Sequence, residues 1–443
     1  MPTSFRPYYP DQDLLLPQSL KEWLPEDHLS YFISDVVNEL DLSAFYARYE
    51  GDGRRKSPFD PSLMLKVLIY AYATGTFSSR KIACKLEEDI AYRVLAAGNF
   101  PKHRTLCDFR QQHLDDFKSL FVQVVQIAQS AGLVQLGALA IDGTKVAANA
   151  SKRKAMSYRR LKEEETRLVQ DIDALCYRAG EVDAAEDAQL GLARRGDEVP
   201  DELAHRQQRL EQIRAAKKRL EVAQAAADRE RGRSPDDDRK PRNGGRGSRY
   251  KRDFGVPADK DQSNFTDPQS CIMPTSHGWQ QCYNGQLAVD EDFQIIVANR
   301  LTANPNDKGE LVRVLDEVHT TLGRFPKEVL ADAGYRKEAD FVTLEARQID
   351  GYVALGKEGK SGQIRDPDNN PATVRMAEKL QTPNGKERYR DRKYLVEAPN
   401  GWIKHVIGFR QFSVRGLEAV KGEWNLITMA TNLRRMRRLL QCE

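Results

Sequence analysis

The chain has 443 residues, 69 of them Lys or Arg and 65 Asp or Glu, for a net charge of +4 at pH 7. That length exceeds one compact core, so two or three structural units are expected, and so small a charge means that nucleic-acid contact must rest on where the cations sit. No apolar run approaches the ~18 residues of a membrane span and no charged-then-apolar leader is present, which argues against a membrane or secreted protein and for a cytoplasmic one.

Residues 12–133 read as helices with short breaks. In SPFDPSLMLKVLIYAYATG (57–75), Asp60 is placed to cap a helix and Pro61 suits its first turn. Leu63, Met64, Leu65, Val67, Leu68 and Ile69 follow with Lys66 the one charge among them, so this helix is apolar nearly all round and buried. SSRKIACKLEEDIAYRVLAAG (78–98) predicts a further helix, capped at Ser78 or Ser79 and stopped at Gly98, and 105–132 predict one or two more.

At 137 the pattern changes. GALAIDGTKVAANA predicts a strand, and CYNGQLAVD with FQIIVANRLTA a hairpin joined through Glu291 and Asp292. Helices are predicted over 307–323 and 337–348, and strands over 327–335 and 349–356. This interleaving argues for an α/β fold with a mixed sheet flanked by helices.

Between the first strand and the hairpin, Leu161, Leu168 and Leu175 repeat at seven, with Ile172 four beyond Leu168. Leu203 and Leu210 repeat likewise, followed by Ile213 and Leu220. The spacing predicts two heptad-patterned helices paired as an antiparallel hairpin. Residues 231–262 then turn rich in Arg, Gly, Asp and Pro, as in a flexible linker.

Two acids end apolar strand runs: Asp142 in LAID, before Gly-Thr, and Asp332 in VLAD, before Ala-Gly. If their strands are parallel neighbours, both carboxylates meet at one sheet edge, where ligands of open α/β sheets collect. Two adjacent carboxylates repel, and a hard divalent cation, Mg²⁺ or Mn²⁺, lets both stay ionised. The plainer reading is that each aspartate starts a turn. A third acid, Glu397, follows Lys393 by four residues and precedes Lys404 by seven, so a helix would set one carboxylate between two cations. A site for metal and phosphodiester has that composition; an ordinary solvated helix with ion pairs has it too. Pro399 requires the helix either to begin there or to run through it with a kink.

These blocks together resemble the DDE transposases of bacterial insertion sequences, whose catalytic domain is RNase H-like. AIDGTKVAANAS resembles the family's first Asp block and LADAGY its second. The third block of the family has the form Tyr-x2-Arg-x3-Glu-x6-Lys: Glu397 and Lys404 keep the last spacing, Tyr389 and Arg392 the first. Four residues rather than three separate Arg392 from Glu397, so Lys393 stands in the arginine's expected place. YAYATGTFSSRKIA, FRQQHL and RGLEAVKGEWNLITMATNL also resemble that group.

The resemblance implies a helical N-terminal domain (1–133) that binds DNA and an RNase H-like catalytic domain (134–150 and 263–443), between whose two parts lie the heptad-patterned helical hairpin (151–230) and the basic linker (231–262). It implies phosphoryl transfer on DNA with two Mg²⁺ or Mn²⁺ ions, Asp142 bridging them and Asp332 and Glu397 each completing one shell. Lys404, with Lys393 or Arg392, would hold phosphate oxygens, and the protein would act as a homo-oligomer on the ends of its element and on target DNA. The stretch RKPRNGGRGSRYKR (239–252), including Arg246, Arg249, Lys251 and Arg252, carries no acid and suits a phosphate backbone, or merely a solvated linker. Arg434, Arg435, Arg437 and Arg438 form a second cluster on a helix that also carries Leu433, Met436, Leu439 and Leu440, so DNA contact and a packed terminal helix with an outward basic face explain it equally well. A catalytically inactive DNA-binding protein of the same fold and a nuclease that cuts without joining strands remain the alternatives. Cys84, Cys107, Cys176, Cys271, Cys282 and Cys442 form no C-x-x-C pair, which fits reduced thiols rather than a zinc site or disulfides.

Overall fold

The computed structural model describes residues 19–49, 57–190, 201–235, 252–356 and 366–441. The chain opens with helices α1 (Leu29–Glu39), α2 (Ser43–Ala47), α3 (Pro61–Ala73), α4 (Ser79–Glu88), α5 (Ile90–Leu95), α6 (His103–Gln112) and α7 (Phe117–Ser130). Asp60 caps α3 by accepting from the Ser62 backbone N–H, Pro61 opens it, and its sides are buried nearly all round, as its sequence requires. The single helix expected over 78–98 is two. Asp89 adopts extended backbone and accepts from the Ala91 N–H at 3.0 Å, so it caps α5 instead of continuing α4. A short acidic side chain favours that cap over a helix interior.

A sheet domain follows, containing β1 (Ala138–Ala147), β2 (Ala155–Ser157), α8 (Tyr158–Leu190), α9 (Asp201–Glu230), β3 (Gln262–Asn264), β4 (Cys271–Thr275), β5 (Gly278–Asp290) and β6 (Ile296–Thr302). Then come α10 (Leu311–Leu322), β7 (Glu328–Ala331), α11 (Glu338–Ala346), β8 (Asp350–Val353), α12 (Pro371–Gln381), α13 (Pro383–Gly401), a π-turn at Trp402–Val406, and α14 (Leu417–Leu440). The main sheet runs β6-β5-β1-β7-β8, with β4 also paired to β5. β5 is antiparallel to β1, β4 and β6, while β7 is parallel to β1 and β8, so the sheet is mixed.

Alternation along the central strands sorts their side chains onto two faces. Leu139, Ile141, Val329, Ala331 and Val353 join the large core that also holds α10, α14 and the helices before β1. Ala138, Ala140, Leu330 and Tyr352 face the other way and pack against Leu395 and Val396 of α13. Both faces are therefore covered.

Helices α8 and α9 form the expected antiparallel pair. Tyr158 donates to Glu221 at 2.7 Å, and Glu165 pairs with Arg214 and Lys217. Leu161, Leu168, Leu210, Ile213 and Ala216 form the buried seam, with Ile172 and Leu220 partly buried beside it. No helix among the described residues is long and apolar enough to cross a membrane.

Glu423, fully buried on α14, joins three parts of the chain. It accepts from the Tyr72 hydroxyl of α3 and, at 2.7 Å, from the Ser413 backbone N–H, while Arg110 of α6 lies 4.0 Å away and donates to Tyr72 at 3.0 Å. Removing the acid strands a buried arginine. Glu423→Ala is therefore expected to destabilise the fold by about 3–5 kcal/mol in denaturant unfolding, with Glu423→Gln closer to wild type because it keeps an acceptor.

Candidate active site

The pairing of β1 changes where Asp142 sits. Its ladder with β7 ends at Ile141 opposite Ala331, so Asp142 and Asp332 are the next residue on each strand. β1 itself continues to Ala147, paired with β5 alone. At Ala147 its free edge is taken again by the segment after the π-turn: Ala147 donates to Arg410 O and Phe412 donates to Ala147 O. Among the described residues the edge of β1 is open between these two attachments. Asp142 has the same parity as Ala138 and Ala140, and Asp332 the same as Leu330, so the alternation puts both on the face that α13 covers.

Asp332 also does what an aspartate in a turn does. It caps the short helical turn Ala333–Tyr335, accepting from the Gly334 N–H at 2.8 Å. Turn former and candidate site residue are the same side chain here.

Burial pushes the Asp142 carboxyl up to about 6, the negative charge of Asp332 adds to the rise, and Arg392 opposes it. Asn400 of α13 donates to Asp142 Oδ2 at 3.2 Å, leaving its own Oδ1 buried without a hydrogen-bond partner among the described residues. A carboxylate desolvated beside a second acid, next to an orphaned amide oxygen, is a donor set suited to a hard cation. The described carboxylates, imidazoles and thiols include no group of three already gathered around such an ion.

Helix α13 carries the third candidate. Thr382 caps it, Pro383 opens it, and Arg388 clamps it to the sheet through Glu291 and Glu328. It runs through Pro399 rather than starting there, and the chain then widens into the π-turn. Glu397 is exposed, one helical turn before Asn400. Arg392 lies over the Tyr389 ring at 5.6 Å and acts on Asp142. Lys404 is brought near Asp142 by the π-turn rather than by regular helical spacing, and burial lowers its ammonium pKa. Lys393 lies on α13, its side chain outside the described residues.

The basic candidates separate. Arg246, Arg249 and Lys251 lie outside the described residues, and Arg252 lies 3.7 Å from Asp261. In the C-terminal cluster, Arg434, Arg435 and Arg437 donate to the carbonyls of Ala73, Phe293 and Asp27, which makes them ties between elements. The sequence reading missed Asn400 and Asp307. Asp307, in TANPNDKGEL, looks like an ordinary polar turn, yet its carboxylate adds to the negative field on Asp142.

The rise of Asp142 from the ordinary 3.8 to about 6 has a thermodynamic sign. A folded-state value above the unfolded one stabilises the fold at pH below 3.8, and that stabilisation is lost as pH rises through 6. Metal-free Asp142→Asn is therefore expected to be more stable than wild type at pH 8, by up to about 3 kcal/mol, and equal to it below pH 4, in parallel denaturant titrations.

Two family models match the chain. Residues 18–112 match a transposase domain (DUF772), and residues 255–433 match a transposase DDE domain. Asp332 and Glu397 fall inside the second match, and Asp142 lies between the two. No curated protein and no solved structure matches the chain.

Proposed function

The chain belongs to the DDE transposases of insertion sequences, phosphoryl-transfer enzymes acting on DNA, and we propose that it cuts its element's ends and joins them to target DNA at a centre of Asp142, Asp332 and Glu397. The observation that carries this reading is the partly buried Asp142 carboxyl, lifted to about 6 beside Asp332 and facing the helix of Glu397. A site whose acid is so poorly compensated by its own protein favours a bound cation.

Enzymes of this family use divalent metal ions, and the oxygen-only donor set favours Mg²⁺ or Mn²⁺ here. Asp142, Asp332 and Glu397 are the residues that would hold them. Bound there, such ions would activate the attacking hydroxyl and stabilise charge on the leaving oxygen. Asn400 fixes one oxygen of Asp142 by its amide hydrogen bond. Lys404 and Arg392, both within electrostatic reach of Asp142, supply positive charge for the phosphate oxygens at the break. Glu397, exposed on α13, would supply the third carboxylate.

The helices before β1 serve as a DNA-binding domain in this reading, supported by the match over residues 18–112. The residues of 239–252 add contacts to the backbone, and the protein works as a homo-oligomer at the nucleoid in the cytoplasm.

Incubation with Mg²⁺ and DNA carrying the element's own ends separates the possible activities. Joined products are expected; cut ends alone identify a nuclease, and intact but bound DNA an inactive binder. Asp142→Ala is expected to reduce cleavage below detection while retaining DNA in a gel-shift assay, and undiminished cleavage sinks the assignment. Asp142 also sets a pH limit. Protonation removes its charge as pH falls through about 6, so cleavage at limiting Mg²⁺ is expected to fall by up to about tenfold per pH unit below that point.

A further inference from the structure

Asp307 sits in the connection between β6 and α10 and reaches β1 from the face opposite to that of Asp142. Its Oδ1 accepts from Asn284 Nδ2 and Gln286 Nε2, both at 2.7 Å, and from Lys145 Nζ at 3.4 Å. The first two come from β5 and the third from β1, and they face each other in register, Gln286 opposite Gly143 and Asn284 opposite Lys145.

Two glycines are explained by this one carboxylate. A Cβ on Gly143, the residue after Asp142, would stand 2.4 Å from Asp307 Oδ1 and 2.7 Å from Gln286 Nε2. A Cβ on Gly334, two residues after Asp332, would stand 3.1 Å from Asp307 Oδ2 and 2.9 Å from Asp332 Oδ1. Neither glycine has a positive φ, so close approach rather than turn geometry favours glycine: a side chain meets Asp307 first at Gly143, and Asp332 before Asp307 at Gly334. The contact extends further. Gln286 accepts at Oε1 from the hydroxyl of Tyr335, a fully buried residue that ends the turn Asp332 begins.

We propose that Asp307 is a positioning residue of the catalytic centre: wedged between the Asp142 strand and the Asp332 turn, it sets their separation and thereby the affinity for a divalent cation. Gln286 links it to Tyr335, so the spacing is fixed through hydrogen bonds from two sides. This inference rests on the reading of Asp142 and Asp332 as the residues that hold the cation.

The test is Mn²⁺ binding to the full-length chain, followed by electron paramagnetic resonance, with far-UV circular dichroism on each variant. Asp307→Ala is expected to weaken Mn²⁺ binding about 10–100-fold, the range for residues that orient metal ligands. Asp307→Asn keeps an acceptor for Asn284 and Gln286 and is expected to bind within about threefold of wild type. Should Asp307→Ala not fold, Tyr335→Phe cuts the same network at one hydroxyl and is expected to weaken binding by about tenfold. Asp142→Asn serves as the reference, expected to lose binding. Wild-type affinity in Asp307→Ala, or in Tyr335→Phe where that variant replaces it, overturns the role given to Asp307 while leaving the centre intact. Equal weakening in Asp307→Ala and Asp307→Asn also overturns it, because the charge would then act directly. Wild-type affinity in Asp142→Asn overturns the centre itself.

Discussion

Strand β1 is paired along both edges at its start and covered on both faces, and the chemistry of the chain follows from that placement. With alternate residues committed to the large core, the residues between them must face α13. Asp142 is the first charged residue on that second face, after Ala138 and Ala140. It arrives where β7 has ended and the edge has opened, so its carboxylate has lost most of its water without gaining a full counter-charge. A one-residue slip of β1 against β5 would turn Asp142 into the large core. The register and the placement of Asp142 are therefore one constraint.

The opening persists because the chain returns to β1 five residues beyond Asp142. Residues 410–412 bind the far end of the strand, and just after them Ser413 hydrogen-bonds to buried Glu423. That acid is held in turn by Tyr72 and Arg110, so the helices before the sheet brace the segment that follows α13. At the other end of α13, Arg388 is clamped by two glutamates. Leu395 and Val396 seat its middle against the sheet. The helix carrying Glu397 is thus fixed by groups from across the chain, while Glu397 itself stays at the surface.

The α8–α9 hairpin obeys a simpler rule. Its seam is a heptad stripe of leucine and isoleucine, closed by ion pairs along the side, and the pairing of β2 with β3 ties its base. Local sequence was enough to predict it because each helix needs one partner and that partner lies next in the chain.

Local sequence determined a good deal here. Asp60 and Pro61 set the start of α3, the heptads set the hairpin, and the apolar runs before Asp142 and Asp332 set strands β1 and β7. One reading failed where a local signal had two outcomes: Asp89 within a helical pattern became a cap. At Pro399 the sequence left two courses open, and the helix runs through because it is held by its apolar side. Tertiary structure alone decided what Asp307 and Asn400 do, and why Gly143 must be glycine. Periodicity and capping are properties of neighbours in sequence, so they can be read from it. Asp307 meets β1 across more than 160 residues and Asn400 meets Asp142 across 258, and contacts of that range leave no pattern in either segment.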